Sequence, residues 1–437
     1  MRIAGIIAEY NPFHRGHAYQ IEETRRMTQA DCVIAVISGD FVQRGGPAML
    51  SSHTRARLAL LGGADLVFEI PSAGSCQSAE HFARAGVELL DGLGCVDILS
   101  FGSECGDTAL LDRLGKLLDQ EPEAYREKLR TALRTGCSFP AARSEALSAY
   151  LEEAGRQAAG TAASLPSGEP QPDLFLPPES TAGTVRSVLE SPNNILGIEY
   201  CKTLHRLGSS MRPFTVRRMG SGYHDTAWDT SLPSAAAIRR ALKELPDGLS
   251  GLGRHPVLEG LPPEVRAAFI QAVKNEGCLW DEDFSLLLRW TLYSRSRREM
   301  TRCGDLSPQL ADRIIRCRNS FSTIPGFVSL LKTRELTYTR ISRALFHLLL
   351  DIRQAPPISY ARLLGFRQEA SHVLGEIKKK GRLPLITKLA DAPGLLDEEG
   401  RRTLDENTRI ACLYETVRCS KYHRPFSHPY SRPLVII

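Results

Sequence analysis

The sequence predicts an α/β fold in which a Rossmann-like parallel sheet is followed by a mainly α-helical C-terminal region. Four short apolar runs within the first hundred or so residues predict strands at residues 2–8, 32–38, 65–70 and 96–101. Stretches with helical spacing separate these runs, and such alternation is typical of right-handed crossovers in a doubly wound sheet. From about residue 255 the helical pattern continues without alternating strands.

The length of 437 residues exceeds what one hydrophobic core usually holds, so more than one domain is expected. We predict an N-terminal α/β domain over residues 1–250 and a helical, basic region over residues 251–437. Residues 155–178 are rich in Ala, Gly, Ser, Pro and Gln and have little apolar periodicity. This composition predicts a loose insertion at about residues 152–190.

Charge and cysteine usage narrow the class of protein. The net charge of +5 is mild and indicates little about partners. The eleven cysteines are scattered, with neither a CxxC pair nor zinc-ligand spacing, which favours reduced, mostly buried thiols. No apolar stretch approaches the length of a membrane span, and no export signal precedes the first strand. We therefore expect a cytoplasmic protein without a membrane partner.

The first predicted strand leads into the residues NPFHRGH, at positions 11–17. This segment resembles the HxGH signature of adenylyl-transferring α/β enzymes. His14 and His17 lie three residues apart at a predicted helix start, where both side chains can donate hydrogen bonds to phosphate oxygens. Gly16 lets a backbone approach a nucleotide, and the helix N-terminus favours an anion. A helix cap plus a surface histidine is the alternative, but the position directly after a strand favours a nucleotide site.

Polar turns follow the other predicted strands at residues 38–40, 71–72 and 102–104, and all are expected at the carboxyl edge of the sheet. Each turn alone is an ordinary strand-to-helix connection, whereas together they outline a pocket. The sequence FVQRGGPA at 41–48 extends one of them and combines an arginine with two adjacent glycines. We interpret it as a flexible element that covers a substrate or grips phosphate, with a plain surface loop as the alternative.

Three later segments also carry candidate ligand-binding groups. Within PNNILGIEY at 192–200, Asn193 or Asn194 can cap a helix or turn to a ligand, and the cap is the default interpretation. The segment VRRMGSGYHD at 216–225 concentrates cations, glycines and a histidine. In SAAAIR, a predicted N-cap Ser234 and Arg239 one turn later are placed to face a triphosphate. A capped surface helix is the alternative for SAAAIR.

A basic stretch in the helical region suggests RNA. Residues 312–353 contain eight cations against three anions, interleaved with aromatic residues, and KKKGR follows at 378–382. Phosphates would supply affinity and unstacked bases specificity. We expect Arg340 and Arg343 to contact RNA, although a solvated charged face is the alternative. The eight cations are Arg313, Arg316, Arg318, Lys332, Arg334, Arg340, Arg343 and Arg353, and the aromatic residues are Phe327, Tyr338 and Phe346.

Eight motifs, taken together and in order, resemble those of the bacterial tRNA(Met) cytidine acetate ligases, which carry the HxGH nucleotidyltransferase type of Rossmann-like domain. They are GIIAEYNPFHRGHAYQI, SGDFVQRGGPA, GADLVFEIP, SFGSE, PNNILGIEY, SGYHD, SAAAIR and KTRELTYTRISRALFHLLL. The resemblance extends from the first residues to near the C-terminus, interrupted chiefly by residues 150–190. Gly46 departs from the family pattern, which usually has an acidic or polar residue there.

The resemblance implies an ATP-dependent ligase. Acetate and ATP would give acetyl-adenylate and pyrophosphate, and the acetyl group would pass to N4 of the wobble cytidine of elongator tRNA(Met), giving N4-acetylcytidine. Residues 1–250 would form the ATP-binding catalytic domain and 251–437 the tRNA-binding region, with Mg2+ expected alongside ATP. The implied ATP contacts are Ile7, Ala8, Glu9, Tyr10, Asn11, Pro12, Phe13, His14, Arg15, Gly16, His17, Ala18, Tyr19, Gln20, Gly102, one of Asn193 and Asn194, and one of Arg217 and Arg218.

The chemistry of the residues assigns them roles within this scheme. His14 and His17 would steady the α-phosphorus during displacement, while Arg239 and one of Arg217 or Arg218 would hold the departing pyrophosphate. Ser234 would hold phosphate from the second helix start. A small-molecule adenylyltransferase would share these elements but would not explain the basic helical region. A catalytically silent RNA-binding protein is the second alternative, and the presence of both histidines with Arg239 argues against it.

Overall fold

The computed structural model describes residues 1–162, 182–218, 233–245 and 248–437. All four strands predicted in the first part of the chain are present, within a few residues of the predicted bounds. The strands are β1 Ile3–Ala8, β2 Cys32–Ser38, β3 Phe41–Val42, β4 Gly46–Pro47, β5 Leu66–Ile70, β6 Ile98–Ser103, β7 Arg212–Arg217, β8 Ala361–Phe366, β9 Leu385–Ile386 and β10 Val435–Ile436.

Helices form most of the rest of the described chain. The α-helices are α1 Arg15–Thr28, α2 Ser52–Leu61, α3 Ser72–Ser75, α4 Ala79–Gly92, α5 Thr108–Gln120, α6 Glu123–Arg134, α7 Phe139–Ala162, α8 Ala182–Glu190, α9 Pro192–Leu207, α10 Ala235–Lys243, α11 Pro263–Glu276, α12 Ser285–Ser294, α13 Arg297–Met300, α14 Pro308–Cys317, α15 Ile324–Leu331, α16 Tyr338–Leu350, α17 Ser371–Lys380, α18 Ala392–Leu395 and α19 Glu398–Tyr422. Short 3₁₀ helices lie at Gly248–Arg254, Pro256–Gly260, Asp281–Phe284, Arg318–Ser320, Gln368–Ala370, Leu389–Asp391 and Pro429–Ser431.

The main sheet has the doubly wound arrangement that the alternating pattern predicts. Its strand order is β10-β8-β5-β2-β1-β6-β7, and β5, β2, β1, β6 and β7 are all parallel. The chain runs outward from the central β1 in two directions, first through β2 to β5 and then through β6 to β7. The direction reverses beside β1, and open α/β sheets bind ligands at the carboxyl edge of such a point.

The C-terminal half is mainly helical, as predicted, but it also returns strands to the sheet. β8 pairs antiparallel with β5, and β9 and β10 pair parallel with β8. The Arg362 guanidinium donates to Glu69 Oε2 at 2.6 Å, and both side chains are buried. A lone apolar run among helical segments carries no alternating pattern, so the sequence did not distinguish β8 from buried helix.

The proposed loose insertion lies partly outside the described residues. Helix α7 continues through residues 152–162, and α8 resumes at residue 182 and runs to residue 190. The part of the insertion at 163–181 lies outside the described residues.

The C-terminal helices pack directly on the loops at the carboxyl edge of the sheet. The Phe41 ring lies 5.5 Å from the ring of Phe284, 5.8 Å from that of Phe346 and 6.0 Å from that of Tyr414. Tyr414 Oη donates to the Ala48 carbonyl at 2.8 Å. The hydrophobic core of the C-terminal helices is therefore continuous with a loop of the N-terminal half.

A buried arginine joins the carboxyl ends of the two central strands. Arg55 of α2 is fully buried and donates to the carbonyls of Glu9 at 2.6 Å, Ser38 at 2.9 Å and Leu50 at 3.0 Å. It also donates to the Gly39 carbonyl. The Glu9, Ser38 and Gly39 carbonyls lie at or just after the ends of β1 and β2, so a buried cation that they hydrogen-bond fixes the geometry of the strand ends.

All eleven cysteines are free thiols, five of them buried and six partly exposed. Among the described residues, no helix combines the length and the apolar character needed to cross a bilayer. Within the same parts of the chain, no group of three or more His, Cys, Asp or Glu side chains is arranged to hold a metal ion.

Candidate active site

A cleft opens at the carboxyl edge of the sheet, where β1 and β6 end and α1 and α10 begin. Most of the predicted ligand-binding residues meet there. The predicted residues that line it are Ile7, Ala8, Glu9, Tyr10, Asn11, His14, His17, Gln20, Gly102, Asn193, Arg218, Ser234 and Arg239. The others lie outside the lining, namely Pro12, Phe13, Arg15, Gly16, Ala18, Tyr19, Asn194 and Arg217.

The two histidines form the N-terminal cap of α1. His14 is the N-cap residue, and its Nδ1 accepts the backbone N–H of Gly16 at 3.0 Å. His17 Nδ1 accepts the backbone N–H of His14 at 3.2 Å, which completes a capping box. The rings stack with their centroids 3.8 Å apart. Since both Nδ1 atoms accept, each neutral ring carries its proton on Nε2, which remains available as a donor.

Gly16 is required by the cap itself. A Cβ at this position would lie 2.9 Å from Cε1 and 3.1 Å from Nδ1 of His14. The sequence interpretation placed a nucleotide against this glycine, whereas the structure places the His14 ring there. The glycine in the motif therefore allows the first histidine to fold back over the helix start.

The cleft keeps both histidines neutral. Burial, together with the positive charges of Arg218 and Arg239, lowers the pKa of His14 to about 3. The pKa of His17 lies well below its ordinary value, first because of burial and then because of its neighbours His14 and Arg218. At neutral pH, two uncharged N–H donors therefore sit among cations, an arrangement suited to oxygen atoms that gain negative charge.

We expect the stability of the protein to fall in mild acid through His14. Because the unfolded side chain has a pKa of about 6.5 and the folded one about 3, the unfolded state binds more protons between these values. The contribution of His14 to the free energy of unfolding is complete above about pH 6.5. It should fall by about 1.5 kcal/mol between pH 6.5 and pH 5. Urea unfolding of the wild type and of His14→Asn across this range would measure it, because asparagine can cap a helix but does not titrate. Equal pH slopes in the two proteins would contradict the assignment.

Two arginines from different elements border the cleft. Arg218 directly follows β7, and its backbone N–H donates to the Ser103 carbonyl at 2.9 Å. Arg239 lies on α10, and its Nη1 donates to the Asn11 carbonyl at 2.5 Å. The cap of α10 is confirmed, because Ser234 Oγ accepts the Ala237 N–H at 3.1 Å. The N-termini of α1 and α10 thus reach one cleft that also contains two guanidinium groups, and this combination attracts anions.

The structure distinguishes the members of both undecided pairs. Both arginines are exposed, but only Arg218 lines the cleft, while Arg217 packs beside Gly106. Residues 219–225 of the VRRMGSGYHD segment, which include the SGYHD motif, lie outside the described residues.

Neither asparagine of the pair is the cap of α9, which is Ser191. Asn194 is buried, and its Oδ1 accepts the backbone N–H groups of Glu104 and Cys105 at 2.9 and 3.2 Å. Asn193 lines the cleft and donates to Glu104 Oε1 at 2.6 Å. The asparagine pair therefore fastens the loop after β6 to the start of α9, and only Asn193 is placed to meet a ligand.

The segment 41–48 is a hairpin held on its outer side, which contradicts the prediction of a flexible cover or surface loop. The Ser342 hydroxyl donates to the Gly45 carbonyl at 2.6 Å, and the Gln43 N–H donates to Glu9 Oε1 at 3.0 Å. At its tip, Gln43 and Arg44 line the cleft. Contact of this tip with phosphate therefore stays a prediction.

Gly46 lies beside a carboxylate from the C-terminal half. A Cβ on this glycine would be 2.6 Å from Asp281 Oδ1. Burial and the neighbouring Glu282 raise the pKa of Asp281 to about 6, although Lys243 and Arg239 act in the opposite direction. An acidic group therefore approaches the hairpin from a segment that sequence reasoning did not connect with the site.

The sequence interpretation missed the apolar wall of the cleft. Phe82, Phe101, Leu196 and Tyr200 line it, together with the first residues of α10, Ala235 and Ala236. Phe101 and Tyr200 belong to quoted motifs, but an aromatic residue within an apolar run reads as core. The Tyr10 hydroxyl is buried and has no hydrogen-bond partner among the described residues, although Tyr10 is one of the residues that line the cleft.

One of the eight cations of the basic stretch at 312–353 and two of its three aromatic residues are buried. Arg343 is buried and donates to Asp305 Oδ2 at 2.9 Å, so its expected contact with RNA is wrong. Phe327 and Phe346 are also buried, and they cannot stack on bases. Tyr338 is 37% exposed and Arg340 is partly exposed. The helical period of α16 turns Arg343 and Phe346 into the core.

Comparison with known proteins gives the same family as the sequence motifs. The family model for the HIGH nucleotidyl transferases matches residues 1–426. The tRNA(Met) cytidine acetate ligase of Clostridium tetani is 35% identical over 401 residues, which cover 89% of this chain and 91% of the relative.

Two crystal structures of Thermotoga maritima TmcAL are similar along the full length of both chains, at 26% identity. The apo form has a TM-score of 0.88, and the form bound with alpha-thio ATP has a TM-score of 0.85.

Proposed function

The chain belongs to the HIGH nucleotidyl transferases and, within them, to the tRNA(Met) cytidine acetate ligases, and from this premise we propose that it acetylates the wobble cytidine of elongator tRNA(Met). In the first step, an acetate oxygen attacks the α-phosphorus of ATP, the bond to the β-phosphate breaks, and pyrophosphate leaves. In the second, N4 of cytidine attacks the acetyl carbon, AMP leaves, and N4 loses a proton. The product is N4-acetylcytidine.

One observation carries the proposal. Two neutral Nε2–H donors, two helix N-termini and three arginines, Arg44 among them, converge on one cleft beside the switch point of the sheet. We assign His14 and His17 to the α-phosphate, where charge develops during displacement, and Arg239 and Arg218 to the leaving pyrophosphate. Ile7, Ala8, Glu9, Tyr10, Asn11, Gln20, Gly102, Asn193 and Ser234 would form the remaining nucleotide contacts.

The tRNA would bind the helical region at 251–437 and close the cleft. The cytosine amine is a weak nucleophile, so water must be kept from the acyl-adenylate until the amine arrives. We expect Mg2+ to enter with ATP, held mainly by phosphate oxygens, because the described residues offer no cluster of carboxylates for it. No step of the proposal depends on the ion. The eleven free thiols support a cytoplasmic location.

The test is mass spectrometry of nucleosides from tRNA incubated with the protein, ATP and labelled acetate. We expect labelled N4-acetylcytidine from elongator tRNA(Met), together with pyrophosphate release that acetate stimulates. Pyrophosphate release that depends on another small acceptor and not on acetate would instead indicate a small-molecule adenylyltransferase. Absence of ATP binding in calorimetry would indicate a silent RNA-binding protein.

We expect Arg218→Ala to raise the KM for ATP at least about tenfold, the loss expected for a charge-assisted contact to phosphate. The matched control is Arg217→Ala, the adjacent exposed arginine that does not line the cleft. Steady-state pyrophosphate release at varied ATP concentration would measure both. A larger effect for Arg217 than for Arg218 would contradict the assignment within this pair.

A further inference from the structure

Helix α12 is apolar on two opposite faces. Its inner face buries Leu288 and Leu292 completely in the C-terminal core. Its outer face carries Leu286, Trp290 and Tyr293 at spacings of four and three residues, and these side chains are 78%, 72% and 47% exposed. A contiguous apolar stripe with an exposed tryptophan is typical of an interaction surface.

Arginines accompany this stripe. Arg289 is exposed on the same helix, and the guanidinium of Arg318 lies 4.9 Å from the centroid of the Tyr293 ring. Arg318 also donates to the Leu292 carbonyl at 3.2 Å, which fixes it beside the aromatic ring. We call Leu286, Arg289, Trp290, Tyr293 and Arg318 the α12 surface.

The charge around the α12 surface has one dominant sign. Between residues 285 and 302 the chain has five arginines and a single acidic residue, Glu299. Of the acidic residues that directly precede α12, Glu282 pairs with Lys243 and Asp283 pairs with Lys421. Arg289 and Arg298 are exposed, and neither forms an ion pair with another described residue. The surface therefore favours an anionic partner. A second copy of this basic chain would bring like charges together.

The α12 surface begins close to the cleft. The 3₁₀ helix Asp281–Phe284 directly precedes α12, and Asp281 lies beside Gly46 of the hairpin whose tip lines the cleft. Lys243 of α10 donates to Glu282 Oε1 at 2.5 Å. A helix of ten residues is about 15 Å long, so a polynucleotide that reaches the cleft could lie along α12 within a few nucleotides.

We propose that the α12 surface binds unpaired nucleotides of the RNA substrate next to the base that enters the cleft. Trp290 and Tyr293 stack on bases, and Arg289 and Arg318 contact phosphates. Aromatic faces interleaved with arginines suit this chemistry better than they suit a protein partner, which would need matching acidic groups. The inference rests on the proposed function, because it takes tRNA as the substrate.

The first experiment measures the affinity of labelled elongator tRNA(Met) for the Trp290→Ala/Tyr293→Ala double variant by fluorescence anisotropy. We expect a Kd at least about tenfold higher than that of the wild type, as for the loss of base stacking. Calorimetric affinity for ATP should stay unchanged, since the surface contains no cleft residue. Trp290→Phe keeps an aromatic face and should bind tRNA nearly normally. Phe426→Ala, at a side chain 48% exposed, is the matched control.

The second experiment measures the salt dependence of the same Kd. Arg289→Gln should lower the slope of log Kd against log salt concentration by about 1, the loss expected for one phosphate contact. Arg134→Gln is the control, because Arg134 is also exposed and ends helix α6, outside the α12 surface. Equal slopes for both variants would overturn the assignment of Arg289.

The outcomes separate this inference from the proposed function. A wild type that acetylates tRNA, with unchanged tRNA affinity in the double variant, overturns the α12 surface and leaves the function intact. If light scattering also shows the double variant changing from dimer to monomer, the surface is a contact between copies of the chain. If the wild type forms no N4-acetylcytidine while the double variant still weakens RNA binding, the proposed function fails.

Discussion

The His17→Ala variant is expected to release pyrophosphate from ATP and acetate at least about 100-fold more slowly than the wild type, the loss typical of one preorganised donor to a developing oxyanion. His17 uses Nδ1 for the cap of α1, so its Nε2–H is the donor available to the α-phosphate. A depressed pKa keeps this ring neutral, and no proton needs to leave it before or during displacement. The measurement is single-turnover pyrophosphate release.

His14 allows the cap and the chemistry to be separated. His14→Ala removes both the side chain that accepts the Gly16 N–H and the Nε2–H donor. His14→Asn should restore the cap and therefore the stability, but not the rate. Affinity for tRNA should remain close to that of the wild type in all three variants. If His14→Asn had the wild-type rate, or if tRNA binding were lost, the histidines would be structural.

The predicted fold depended on strands that are apolar at most positions. β2 and β5 are buried along their whole length, and such runs alternating with helical segments leave few other arrangements. β8 has the same character but comes after a long helical region, so no neighbouring pattern identified it as a strand. Its pairing with β5 brings together Arg362 and Glu69, a buried pair that lies 293 residues apart in the chain.

The candidate site could be predicted where a short motif carries its own geometry. The HxGH segment is such a case, because its position after β1 predicted both histidines at the start of a helix. The cap that they form there was only the alternative interpretation, and its hydrogen bonds join the two histidines and the Gly16 N–H. Side chains whose role depends on distant packing could not be assigned. Asn193 and Asn194 have the same chemistry. Only their contacts with the loop after β6 distinguish them, because Asn194 is buried against the backbone of this loop and Asn193 lines the cleft.

The candidate RNA-binding residues were also difficult to predict, because their exposure depends on distant packing. Composition drew attention to residues 312–353, where α16 places Arg343 beside Asp305 in the interior. Among the described residues, the most exposed aromatic residue is instead Trp290 of α12, whose sequence SLLLRWTLYS is typical of an ordinary core helix. Hydrophobicity alone does not reveal which face of an apolar helix lacks a partner, because that depends on how many neighbours surround it.

Arg239→Gln is expected to lower kcat/KM for ATP by about 100-fold or more, because a charge-assisted contact to the leaving pyrophosphate is strengthened in the transition state. The neighbouring variant Arg240→Gln is the matched control. Arg240 belongs to the same helix, its side chain is 58% exposed, and it pairs with Glu244 at 3.0 Å. Arg239→Lys should recover only part of the loss, since an ammonium group lacks the planar fork of guanidinium.

A second measurement on the same variant tests whether Arg239 acts electrostatically on the cleft. The positive charge of Arg239 is one of the causes that depress the pKa of His14, after burial and Arg218. Removing that charge should therefore raise the His14 pKa, and NMR titration of Arg239→Gln against Arg240→Gln would detect the difference. A fall in activity with an unchanged His14 pKa would mean that Arg239 acts by holding the Asn11 carbonyl, which fixes the loop between β1 and the histidines. A rise in the pKa together with the loss of activity would support its role as a charge directed at the same anion that the histidines bind.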